Sequence, residues 1–278
     1  MQLASDNQAL KLGVVNQSAS SGVLLIGHGT RDQVGTSQFF DLERRLAEHL
    51  SPLPVRAGLL EFQEPTIPEA WHSLTSTGVR HIHVAPLLLF AAGHAKQDIP
   101  EIVADCARST PGVTYDQSRP ISRHHSLVEL VVKRIREITS NNACDSARTA
   151  VIMVGRGSHD PCAQADMRVL TAIVQQRLSV AEVTTAFYAM ASPKLPTVID
   201  SVAATGRFDS IVVYPHLLFE GRLNQAIVRQ TEEAAERFSE VRFETANYLG
   251  PEPAVAESLA ARIQQASERG TTSLRTEN

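Results

Sequence analysis

The sequence predicts an α/β protein built from two tandem, similar domains, each a parallel four-stranded sheet with helices on both faces. Three observations carry this reading. First, the chain repeats itself. VLLIGHGTRD at Val23 to Asp32 returns as VIMVGRGSHD at Val151 to Asp160, 128 positions later, and GLLEFQEPTIPEA from Gly58 meets AFYAMASPKLPTV from Ala186 at the same offset. Second, within each copy short apolar runs alternate with longer stretches of helical period, which is the βαβ rhythm. Third, the short runs are nearly continuous in apolar residues, as strands buried on both faces of a parallel sheet require.

Taken in order, the first copy places strands at Val23 to Ile26, Val55 to Leu60, His81 to Leu89 and Val113 to Tyr115, with helices near 34–50, 66–77, 95–109 and 124–139. The second copy repeats the order, with strands near 149–154, 182–188, 210–218 and 241–246 and helices near 162–178, 194–205, 223–238 and 252–267. Because the connections run from strand to helix to parallel strand, the crossovers are expected to be right-handed. SNNACDSAR, from Ser140 to Arg148, is polar and aperiodic, so a linker is expected at 141–148 between domains at 21–140 and 149–268. Residues 1–20 and 269–278 are rich in Ser, Thr, Asn, Gln and Glu and read as tails.

Composition narrows the function. A formal net charge of −4 with interspersed signs offers no basic stripe for nucleic acid, so a small-molecule partner is expected. No apolar run is long enough to span a bilayer, and the start lacks a basic segment followed by an apolar core, so no membrane association is expected. Cys106, Cys144 and Cys162 form no CxxC pair and are odd in number, which argues against a disulfide framework or structural zinc and suits a reducing cytoplasm.

In open parallel sheets, ligands bind beyond the carboxyl ends of the strands. The notable polar residues of the first copy fall at such ends. His28 sits in the tight strand-to-helix turn GHGT, Glu61 follows the apolar run AGLL at the end of an expected central strand, and His94 lies on the glycine-containing loop FAAGHAKQD. Glu64 competes with Glu61 for the same role. Two imidazoles and a carboxylate make an open, borderline-to-hard site for a divalent first-row metal, and neutral imidazole, with an ordinary pKa of about 6.5, can also take up protons. His81 and His83 alternate along a strand, His49 and His72 lie on helices, and His124 and His125 begin one, so these six read as structural. His159 and His216 are weaker rim candidates in the second copy.

GHGTRD, LLEFQEPTIPEA and APLLLFAAGHAKQDIP, in this order and spacing, resemble the sirohydrochlorin chelatase family of class II tetrapyrrole chelatases. VGRGSHDP and YPHLLFEGRL resemble the degenerate C-terminal half of its long, two-domain members. The resemblance implies a chelatase-like fold and the insertion of Co²⁺ or Fe²⁺, with Ni²⁺ also possible, into sirohydrochlorin, without ATP and with no cofactor beyond the substrate metal. It further implies service to cobalamin or sirohaem biosynthesis. The family's histidines fall on His28 and His94 and its metal-site glutamate on Glu61, while Thr30 stands where many members have serine, keeping the hydroxyl. For a substrate rich in carboxylates, Thr30, Arg31, Gly93, Lys96 and the adjoining helix N-termini are the expected anchors, and Phe90 the expected apolar wall.

The two copies disagree at the expected ligands: His28 becomes Arg156, Glu61 becomes Ala189, and His94 becomes Arg222. If the two rims face each other, Arg156 and Arg222 are expected to clamp substrate carboxylates; the competing expectation is a structural lid whose arginines pair internally. Two fused copies could also supply within one monomer the pseudo-dimer that a half-length relative must assemble. Among rival functions, a phosphohistidine enzyme would need an arginine directly before the histidine, where Gly27 stands. A non-catalytic metal or tetrapyrrole carrier would use the same ligands and differs only in turnover.

Overall fold

A computed structural model of the chain describes residues 20–91, 97–140 and 145–275, the last six by backbone alone. Among these residues there are eight strands and eight α-helices. The first copy runs β1 (Ser21–Gly27), α1 (Gln33–Leu50), β2 (Val55–Leu59), α2 (Ile67–Ser76), β3 (His81–Pro86), α3 (Asp98–Ser109), β4 (Thr114–Gln117) and α4 (His125–Thr139). After a 3₁₀ turn at Ser146–Arg148, the second runs β5 (Thr149–Gly155), α5 (Pro161–Gln175), β6 (Glu182–Phe187), α6 (Leu195–Ala203), β7 (Ser210–Pro215), α7 (Arg222–Arg237), β8 (Arg242–Thr245) and α8 (Pro253–Arg275). The last helix continues well past the expected end at 267.

Two four-stranded parallel sheets result, ordered β2-β1-β3-β4 and β6-β5-β7-β8. In each, the first strand and the third are central and adjacent, so the strand order reverses between them and their carboxyl ends open a crevice. Local sequence sets the helix starts. Asp32 accepts from the Gly35 amide at 2.9 Å to cap α1, and its repeat partner Asp160 caps α5 through Cys162 at 2.8 Å. Thr66 and Glu69 form a reciprocal capping box at α2, with proline in the first turn.

The outer faces have separate cores. Leu24, Ile26, Ile82 and Val84 meet α2 and α3 in the first copy; Ile152, Val154, Ile211 and Val213 meet α6 and α7 in the second. The inner faces share one core, which runs from Val23, Leu25 and Leu42 through Leu130 and Val131 to Met153, Leu170, Leu259 and Ile263. The reason is a helix exchange. α4 leaves the first copy and packs on β7 and α5 of the second, while α8 returns from the second copy to cover β3, β4 and α1 of the first. The two exchanged helices pack on each other, joined by Arg134 of α4, which donates to the Glu252 carboxylate at 2.5 Å. The sequence periodicity shows that each helix has an apolar face but not which sheet the face meets.

Candidate active site

The carboxyl ends of β1, β2, β5 and β7 surround a cleft of about 880 Å³ between the two copies. Its lining includes His28, Arg31, Glu61 and Phe62 from the first copy and Arg156 and Arg222 from the second. That volume falls in the range of small-molecule sites. The rims therefore face each other, and six residues singled out in the sequence, His28, Thr30, Arg31, Glu61, Arg156 and Arg222, line one cavity.

His28 and Glu61 are joined through their backbones. The Glu61 amide donates to the His28 carbonyl at 3.0 Å, and the Leu60 amide to Gly27 at 2.9 Å, so the turn after β1 is stitched to the segment after β2. Between them, Gly29 has φ 91°, and a Cβ added there would meet the Glu61 carbonyl oxygen at 2.0 Å. Only glycine fits such a position. The second copy repeats the arrangement at Gly157, where a Cβ would lie 1.9 Å from the Ala189 carbonyl oxygen. The scaffold for a ligand pair is thus kept in both copies, while the ligand-type side chains occur in one.

The expectation of a central strand before Glu61 is corrected. β2 is an edge strand and Glu61 is exposed, so burial does not constrain this carboxylate; the stitch to His28 sets only where its backbone sits. Thr30 lines the cleft and its hydroxyl accepts from the Asp32 amide at 3.1 Å, steadying the turn. Arg31 lies over the Phe62 ring, 4.8 Å from its centroid. Phe90 is half-buried against the shared core and tilted against His216, with 5.6 Å between centroids. Arg156 and Arg222 are exposed, and among the described residues neither has an ion pair or hydrogen bond, which counts against internally paired lid arginines. Gly93, His94 and Lys96 lie outside the described residues.

Two neighbouring residues went unrecognised in the sequence or were undervalued there. Phe62 is 53 % exposed, has φ 72°, and stacks on His28 with centroids 6.3 Å apart and an interplanar angle of 11°. A bulky residue in the left-handed region is a strained conformation of the kind that collects at ligand sites. The repeat equivalent, Met190, has φ 51°, so the conformation belongs to the scaffold in both copies. Nothing in the residue type signals it. The other is His216, buried in a cavity of about 260 Å³ that shares His28 and Arg156 with the cleft and adds Phe90 and Met167. Burial pushes its pKa down to about 3, so the ring is neutral.

The fold is a doubled open sheet, with an imidazole and a carboxylate on one rim of the cleft and, on the other, arginines that have no ion pair among the described residues. The chain belongs to the CbiX family, whose model matches residues 22–138 and again 150–266. It is 30 % identical to the sirohydrochlorin ferrochelatase of Priestia megaterium, over 87 % of this chain and 89 % of that one. It is 26 % identical to the sirohydrochlorin cobaltochelatase of the same organism, over 88 % of this chain and 80 % of that one. Among solved structures, SirB from Bacillus subtilis with Fe³⁺ superposes with a TM-score of 0.80 at 27 % identity, covering 91 % of this chain and 98 % of the other. No helix among the described residues is long and apolar enough to cross a membrane.

Proposed function

We propose that this chain is a sirohydrochlorin chelatase that inserts a divalent metal, Co²⁺ or Fe²⁺, into the tetrapyrrole within the cleft between its two copies. The observation that carries the reading is that His28 and Glu61 share one cavity with Arg156 and Arg222. The metal is a substrate, and His28, Glu61 and His94 are its ligands. Three protein ligands leave positions open for the incoming pyrrole nitrogens, and weak binding lets the ion move on. Metallation releases two pyrrole protons, which His28 and His94 take up on the nitrogen lone pairs freed as the metal leaves them, while Glu61 offsets charge. No ATP enters this scheme, since exchanging protons for metal needs no phosphoryl group.

The substrate's carboxylates would be held by Arg31, Lys96, Thr30 and the backbone around Gly93 on one rim and by Arg156 and Arg222 on the other. Phe90 and Phe62 would supply apolar surface to the macrocycle. Imidazole and carboxylate suit Co²⁺, Fe²⁺ and Ni²⁺ alike, so metal choice, and with it service to cobalamin or sirohaem, follows metal supply. Among the described residues Cys106 and Cys162 are free thiols, in keeping with work in a reducing cytoplasm.

Turnover separates an enzyme from a carrier. With enzyme at one-hundredth of the sirohydrochlorin concentration, the chelatase reading expects the absorbance change to run to completion. A single step equal to the protein concentration would instead identify a carrier.

A further inference from the structure

Away from the cleft, the first copy holds a second convergence of ligand-type groups. His81 and His83 point to the same side of β3, and Asp116 of β4 pairs with His83 in register. The Asp116 Oδ2 atom lies 2.9 Å from His83 Nδ1 and 3.1 Å from His81 Nε2, and one donor atom from each of the three residues lies within 4.8 Å of the others. We propose that His81, His83 and Asp116 form a second binding site for a divalent first-row transition metal, separate from the cleft.

Spacing supports this. Ligands about 2.1 Å from a first-row ion at right angles stand about 3.0 Å apart, which the two nitrogen–oxygen separations bracket. The donor set of two imidazoles and one carboxylate is a common one for such ions. The hydrogen-bond inventory points the same way. The Thr114 hydroxyl, 3.4 Å from the Arg80 carbonyl it can donate to, can accept from His81 Nδ1–H at 2.8 Å. That tautomer leaves a lone pair on His81 Nε2 facing the Asp116 oxygen, and two lone pairs at 3.1 Å need a proton or a cation between them. Thr114 thus plays the part that outer groups play in metal sites, fixing which nitrogen can ligate. The Asp116 side chain is mostly buried beside both rings. Its Oδ1 atom is buried with no protein partner, free to complete a chelate.

Access and location fit a resident ion. His83 is almost fully buried, while the His81 side chain is 31 % exposed, leaving a solvent side for water ligands. The cluster lies at the start of β3, with His83 four residues, roughly 13 Å along a strand, before Leu87, which lines the 260 Å³ cavity beside the cleft. An ion there would tie the edge strand β4 to β3 beneath the helix that returns from the second copy, and would play no part in insertion.

Counting Co²⁺ bound per full-length chain at equilibrium tests the proposal. His81→Ala and Asp116→Asn should each bind one ion fewer than the unmodified protein. A His28→Ala/His94→Ala chain should retain one ion and lose it when His81→Ala is added. Because His81 is partly exposed, His81→Ala should keep the fold, checked by an unchanged circular dichroism spectrum. Equal stoichiometry in the unmodified and His81→Ala chains overturns the proposal, and so does a His28→Ala/His94→Ala chain that binds no Co²⁺.

Discussion

Gly29 lies directly against Glu61: with φ 91°, it passes so close that a Cβ would come within 2.0 Å of the Glu61 carbonyl oxygen. This contact, with the 3.0 Å hydrogen bond from the Glu61 amide to His28, fixes the spacing of the backbones that carry the two groups assigned to the metal. Gly29→Ala should therefore displace one of them. A shift of an ångström at a reacting centre costs on the order of 100-fold, so kcat/KM should fall at least tenfold. Gly157→Ala makes the same clash beside Ala189, where no ligand stands. It should lower Tm comparably and reduce kcat/KM much less. Steady-state rates and melting curves of the two variants provide the comparison.

Arg156 and Arg222 face the cleft without ion pairs among the described residues. If they hold substrate carboxylates, replacing both with alanine should raise KM for sirohydrochlorin about tenfold or more, the scale of lost charge-assisted hydrogen bonds at a partly exposed site. kcat should change little, because neither residue contacts the metal. An unchanged KM would return them to a structural role.

His216 makes the fold sensitive to acid. Its folded pKa of about 3 lies far below the ordinary histidine value of about 6.5, so between these limits the unfolded chain binds a proton that the folded chain refuses. Stability should be unaffected by this group well above pH 6.5 and fall by about 1.4 kcal/mol per unit as pH drops toward 3. His216→Leu keeps an apolar side chain in the cavity and removes that component. Urea denaturation at pH 7 and pH 5 measures it, and equal losses in the two proteins would show that His216 is not responsible.

How much of this was legible in the sequence follows from what each feature depends on. Strands and helices depend on local period, and all eight of each were found close to their expected places, except that the last helix runs on to Arg275. The cleft was legible because strand ends and the repeat are both written in the chain, and comparing His28 with Arg156 marks the rim. Features that depend on the partner surface were not legible. The β2 edge position, the crossing of α4 and α8, and the convergence of His81 with Asp116, 35 residues later, require knowing which strands and helices meet. The backbone of Phe62 was hidden for another reason: phenylalanine does not favour positive φ, and the scaffold imposes it, as it does at Met190.

The helix exchange carries its own consequence. A fragment of residues 20–140 would carry α4 without the β7 surface it covers and a first sheet without α8. Exposed apolar faces of this kind are satisfied by a second copy, so the fragment should form a dimer with its helices exchanged between chains. Light scattering would report the mass. A monomer with a cooperative melt would mean that α4 can fold back onto its own sheet.

The central claim is that the first rim performs the chemistry and the second holds substrate. Initial rates of Co²⁺ insertion at saturating sirohydrochlorin, compared between His28→Ala and Arg156→Ala, test it most directly. These two residues occupy the same place in the two copies. His28→Ala should lose at least about 100-fold in kcat, the usual scale for removing a general base, and Arg156→Ala should stay within a few-fold of the unmodified protein. A His28→Ala enzyme with near-normal kcat, or an Arg156→Ala enzyme as inactive as it, would contradict the account.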